Sequence, residues 1–215
     1  VLVRSSFSDG NGGFLQPGAW KSPPKPGKAV RSQFTGPMGT LSAYASPHEV
    51  GRDGALVKTY NINAQTPDSA PTAGAMNTGV KQRFNLINLG GDAIHDDCST
   101  VAGNELTTFA EIVSGMEKSV GIVSTARVTH ATPAAVYSKT ANRNWEDSVP
   151  EGCDTQKDIA AQLIDQMEAG VIDFAMGGGR RHFVPEGTQT DEGGSGRRAD
   201  GVNLIENATG LGAQY

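Results

Sequence analysis

In QTPDSAPTAGAM, residues 65–76, an aspartate directly precedes a serine among proline, threonine and side chains too small to fill a core. Asp68 and Ser69 in that setting read in two ways. One is a surface turn, to which proline and small polar residues are suited. The other is a serine nucleophile, which is weak until a base, a metal or a positive field removes its proton. His130 and Thr132 in ARVTHATPAAVY, and Arg143 in ANRNW, are the groups that could assist. His130 as base and Asp68 as its orienter would make a metal-independent esterase. That serine lacks the G-x-S-x-G elbow, and Asp68 would have to reach an imidazole while adjacent to the nucleophile. A divalent metal acting on the hydroxyl, with phosphate held in the planar fork of Arg143, is the second chemistry.

Such groups need elements to position them. ALVKTYNI, residues 55–62, reads as a short strand bounded by Gly54 and the polar NAQTPDS, with a helix beginning over 72–80. Leu106, Phe109, Ile112, Val113 and Met116 recur at helical spacing and predict an amphipathic helix with one buried stripe. SVGIVST, residues 119–125, reads as a strand buried on both faces. A second helix over 155–168 carries Ile159, Ala160, Leu163, Ile164 and Met167 on one face, and VIDFAMGGG follows as a strand. Helix, strand, helix, strand at this spacing predicts an α/β fold with a parallel sheet covered by helices. Sites in such sheets collect at the carboxyl ends of strands, where His130, Thr132, Asp68 and Ser69 would fall.

Composition narrows the function classes. The 215 residues suffice for one α/β domain. The net charge of −5, with both signs interspersed, argues against a nucleic-acid-binding module or affinity for anionic membranes. No apolar run approaches the roughly 20 residues of a membrane span. Residues 1–54 read as an irregular segment, broken by GNGG and SPPKPG, and residues 55–215 as the α/β domain. Cys98 in DDCST and Cys153 in EGCDT sit in polar, turn-like contexts, compatible with a disulfide or with free thiols. GGGRR lacks Walker spacing and reads as a tight strand-to-loop turn. Trp145 reads as a packing anchor, and Asn207-Ala208-Thr209 fits a glycosylation sequon.

KTYNINAQTPDSAPTAGAM followed by TGVK, then STARVTHATPAAVY, ANRNW and QKDIAAQLIDQME…VIDFAMGGGRRHFVP, stand in the order found in the alkaline phosphatases. Over residues 55–215 the chain resembles the amino-terminal part of that family, and residues 1–54 are not covered. The resemblance implies a mostly parallel central sheet flanked by helices, a three-layer sandwich incomplete in this chain. It also implies hydrolysis of phosphate monoesters through a phosphoserine on Ser69. Arg143 would grip two phosphate oxygens of substrate or inorganic phosphate, and Asp68 would hold the arginine. Two zinc ions and one magnesium are implied as cofactors. Ser69, Thr132 and His130 would be donors to them, and most ligands are expected in a later part of a longer chain. A Cys98–Cys153 disulfide, a periplasmic or secreted location and a homodimer complete the implied picture.

The chain also departs from the family's pattern. Pro71 stands where a small residue is usual, and Gly74 where threonine is. Gly36 in FTGPMG falls at a metal-bridging aspartate, for which Asp9 is a conceivable substitute. His48, His95 and His182 map onto no family ligand, and scattered histidines of this kind read as surface residues. Two competing readings follow: a metal-deficient relative that binds phosphate without turnover, and the metal-independent esterase.

Overall fold

The computed structural model describes residues 2–3, 60–191 and 193–215. Its sheet is built on two neighbouring parallel strands, β2 (Gly121–Arg127) and β3 (Phe174–Gly178). They are in register from Gly121 opposite Phe174 to Val123 opposite Met176, and rejoin at Arg127 opposite Gly178 after an irregularity. A short strand β1 (Leu2–Val3) pairs antiparallel with β3, giving the order β1-β3-β2. This strand lies inside the segment read above as irregular. Side chains alternate as the pleat requires, with Ile122 and Ala175 buried and Val123 and Met176 exposed, so β2 is buried on one face and not on both as its apolar run suggested.

The helices are α1 (Ser69–Thr78), α2 (Phe109–Ser114), α3 (Ala131–Ala134), α4 (Ile159–Glu168) and α5 (Leu204–Gly210). In α4 the stripe expected from spacing is the buried one, namely Ile159, Ala160, Leu163, Ile164 and Met167. The helix starts later than expected, because Asp158 caps it by accepting from the Ala161 amide at 2.9 Å. The stripe expected around α2 is buried only in part, with Val113 packed against the core and Leu106 half-buried. Phe109, Ile112 and Met116 are exposed, while Ala110 and the fully buried Thr108 face inward. Thr108 and Glu111 form a capping box that starts the helix at Phe109, and burial of that box sets its rotation. Periodicity identifies a stripe but not the side that meets the core.

Residues 55–59 of the expected first strand lie outside the described residues. Tyr60, Asn61 and Ile62 form no strand; the Asn61 amide donates to the Ala64 carbonyl at 3.1 Å, turning the chain instead. The strand-to-loop turn after β3 is as expected. Gly179 takes φ 93°, a left-handed value that glycine adopts without strain, and a single 3₁₀ turn follows over Arg180–His182.

Helix α1 has almost no apolar face of its own. Ala70, Pro71, Ala73 and Gly74 are buried because they are small enough for close approach to α3. Pro71 fits in the first turn, where its missing N–H is one that a helix leaves without an intrahelical partner. Gly74 is occupied space: a Cβ there would stand 2.3 Å from the carboxamide of Gln82. Gln82 is fully buried, and its Oε1 accepts the Asn88 amide at 2.7 Å. Asn88 in turn donates to the carbonyls of Ala135 and Ser138, just beyond α3. The departure at Gly74 is therefore matched by the side chain that fills the gap.

A second apolar cluster joins Leu86, Leu89, Ala93, Ala141, Trp145 and Cys153. Cys98 and Cys153 are disulfide-bonded at its edge, and Trp145 is buried within it.

Two outcomes follow for stability. Gly74→Ala should destabilise by about 1–3 kcal/mol in denaturant melts, since displacing Gln82 outweighs the helical gain from alanine. Reduction of Cys98–Cys153, which are 55 residues apart, should lower the thermal midpoint, its chain-entropy contribution being about 4 kcal/mol.

Candidate active site

Ser69 is the first residue of α1 and Asp68 is its cap, with an extended backbone at φ −86° and ψ 175°. Asp68 Oδ2 accepts the Ala70 amide at 3.1 Å, and Oδ1 accepts the Asn85 amide at 3.0 Å. Asn85 takes φ 64°, a left-handed conformation that asparagine tolerates better than most residues. Its carbonyl accepts the Arg143 amide at 3.0 Å. One residue thereby ties the backbone before Arg143 to the carboxylate before Ser69.

The side chains close the same circuit. Arg143 Nη1 donates to Asp68 Oδ2 at 2.8 Å and to Ser69 Oγ at 2.7 Å. Nη2 lies 3.1 Å from His130 Nε2. The Arg143 and Asp68 side chains are only 16% and 13% exposed, so water screens this pair weakly. A guanidinium has five N–H donors, and these contacts use three, leaving two for an incoming oxyanion. Ser69 Oγ receives a proton-side contact from a cation at the positive end of a helix, and both favour the alkoxide over the hydroxyl.

His130 caps α3 without a side-chain capping bond. Burial, then the charges of Arg143 and Arg127, push its imidazole below the ordinary value despite an opposing effect of Glu146. The neutral ring must accept from Arg143 at Nε2, because a guanidinium only donates; its proton therefore sits on Nδ1, which is buried without a partner. Thr132, the second residue of α3, is exposed. Among the described residues no three His, Cys, Asp or Glu side chains converge on a metal-sized site. The described residues by themselves therefore supply no complete donor set for a zinc or magnesium centre.

The esterase arrangement is not formed. Ser69 Oγ is bonded to Arg143 rather than His130, and the Asp68 carboxylate is engaged by Ala70, Asn85 and Arg143.

Behind Arg143 lies a charged network that sequence reasoning missed. Glu146 Oε2 and Oε1 accept from Arg127 Nε and Nη2 at 2.9 and 2.8 Å, and Oε2 also accepts from Thr129 Oγ1 at 2.6 Å. Burial raises the Glu146 carboxyl, but hydrogen bonds from Arg127 and Thr129 and the charges of His182 and Arg127 outweigh it, leaving it below the ordinary value. His182, read above as a surface histidine, is buried between Asp147, 2.6 Å from Nδ1, and Glu146, 3.4 Å from Nε2. The tight turn after β3 turns it inward. His95 is a loop residue paired with Asp96 at 3.2 Å. His48, Asp9 and Gly36 lie outside the described residues. Asn85 was missed as well, and nothing in the spacing pointed to it or to Glu146.

A family model described as alkaline phosphatase matches residues 46–215. The tissue-nonspecific isozymes of alkaline phosphatase from Gallus gallus and Homo sapiens are 41% and 40% identical to the chain over 164 residues. These matches cover 71% of this chain and 31% and 30% of the two relatives. The chain thus spans about a third of the length of the curated relatives it matches. The structure of alkaline phosphatase from the Antarctic bacterium TAB5 superposes with a TM-score of 0.52 at 24% identity. That superposition covers 72% of this chain and 35% of the other, and it shows a shared fold.

The depressed Glu146 carboxyl makes stability depend on acid. A carboxyl held below its unfolded value, ordinarily 4.5, stabilises the fold above that pH and loses the contribution as pH falls through its folded value. Glu146→Gln should therefore flatten the loss of denaturant midpoint from about pH 5 downward. An acid limb unchanged from the parent protein would show that Glu146 is not held low.

Proposed function

This chain belongs to the alkaline phosphatase family, and from that membership we propose that it supplies the nucleophile and phosphate grip for hydrolysing phosphate monoesters. The observation that carries the reading is the single guanidinium nitrogen, Arg143 Nη1, bonded to both Asp68 and Ser69. Asp68 fixes the arginine, and the two uncommitted N–H groups of Arg143 take phosphate oxygens. Ser69 Oγ then attacks phosphorus in line. An Oγ–P bond forms as the ester P–O bond breaks; the Ser69 hydroxyl proton is lost to water, and the leaving oxygen takes one up from water. Water attacks the phosphoserine in the second step, releasing inorganic phosphate and restoring the Ser69 hydroxyl. Charge on the transferring group is stabilised by Arg143 and by the N-terminus of α1.

The family implies metal cofactors. The set we propose is two zinc ions and one magnesium, with Ser69, Thr132 and His130 as donors from this chain and further ligands from outside the described residues. The disulfide supports an oxidising, periplasmic or secreted location. No helix among the described residues is long and apolar enough to cross a membrane. A homodimer is the assembly carried over from the resemblance.

The second reading, a phosphate-binding relative without turnover, is favoured by one observation: no metal-holding group occurs among the described residues. Hydrolysis of p-nitrophenyl phosphate by the full-length protein separates the two. Activity should be lost on chelation and in Ser69→Ala, and Arg143→Ala should weaken inhibition by inorganic phosphate by roughly tenfold or more. Activity that survives chelation overturns metal dependence. Phosphate inhibition without any turnover in zinc and magnesium selects the second reading.

A further inference from the structure

Glu146 touches neither Ser69 nor the uncommitted face of Arg143, yet its contacts surround both loops that meet there. Its carboxylate takes the fork of Arg127, the last residue of β2, and the hydroxyl of Thr129, the residue before His130. Its backbone carbonyl accepts the Ala160 amide at 3.0 Å, and the Trp145 carbonyl accepts the Ile159 amide at 2.8 Å. The turn carrying Arg143 is thus pinned to α4 through its main chain and to the His130 loop through one carboxylate. Thr129 is fully buried, so the latter link is sheltered from water.

A closed path results. From Arg143 the chain runs three residues to Glu146, crosses to Thr129, steps to His130, and returns through the 3.1 Å contact to the Arg143 guanidinium. We propose that Glu146 is a positioning residue for phosphate recognition, fixing the separation of the Arg143 and His130 loops. The proposal rests on the reading of Arg143 as the phosphate grip. The pairing of two functional loops by a carboxylate that contacts neither reactive group is the arrangement by which a supporting shell holds a site to the sub-ångström tolerance that in-line transfer needs.

The test uses the full-length protein and inorganic phosphate as the probe, with p-nitrophenyl phosphate for turnover and thermal midpoints measured alongside. Thr129→Val keeps the Arg127–Glu146 pair and removes only the cross-loop bond. Glu146→Gln weakens both, and the double variant Arg127→Gln, Glu146→Gln restores charge balance without restoring the parental link. Thr129→Val and Glu146→Gln should each weaken phosphate inhibition by about tenfold. The double variant should recover thermal stability lost in Glu146→Gln but not phosphate affinity. Recovery of both would make Glu146 a charge-balancing residue only and overturn the proposal. Unchanged phosphate affinity in Thr129→Val and Glu146→Gln, with affinity lost in Arg143→Ala, overturns it while leaving the phosphate site standing. Unchanged affinity in Arg143→Ala as well removes the phosphate-site reading, and the proposal with it.

Discussion

Two ionised side chains, Asp68 and Arg143, meet at 2.8 Å with most of their surface removed from water. Coulomb attraction alone rarely repays that desolvation; the remaining lone pairs and protons must also be satisfied. All but two guanidinium protons are engaged here, from four directions. The carboxylate takes backbone amides from the head of α1 and from Asn85, and the guanidinium reaches Ser69 and His130. Helix α1, the left-handed turn at Asn85, the Arg143 turn and the α3 loop therefore share one electrostatic solution. None of these segments could shift alone without leaving a charge or an amide unpaired in a weakly hydrated place.

Two apolar clusters hold the circuit. The larger one packs α1 and α3 through alanines and reaches the inner sheet face at Ile122 and Ala175. The smaller one places Trp145, two residues after Arg143, against Leu86, Leu89 and the disulfide. The asparagine that receives the Asp68 carboxylate immediately precedes Leu86, so the same cluster braces both partners of the ion pair. Gln82 supplies the remaining brace, occupying the space that Gly74 leaves and holding Asn88 against the exit of α3.

Legibility in the sequence tracked the range of the interactions involved. Helix α4 was readable because its five buried apolar residues follow one period and the chain supplies its own cap at Asp158. The existence of strands β2 and β3 was readable from short apolar runs, but the one-sided burial of β2 was not, and the family likeness rested on separated motifs in one order. The orientation of α2 was not readable, because a polar capping box went inward while Phe109 and Ile112 stayed outside. Local spacing also could not reveal that Glu146 would meet Arg127 and Thr129, or that His182 would turn inward onto Asp147. Those pairings depend on where β2 and β3 end relative to the Arg143 turn, which is a property of the assembled sheet.

The sequence distance spanned by the central pair has a kinetic consequence. Asp68 and Arg143 are 75 residues apart, so their meeting closes a long loop, whose entropy must be lost before the contact can stabilise anything. The segments between them can form local turns and helices sooner, as short-range contacts do. Contact order therefore places the Asp68–Arg143 pairing late in folding relative to those local contacts. An anion that binds only the finished arrangement would draw the final docking step forward by mass action.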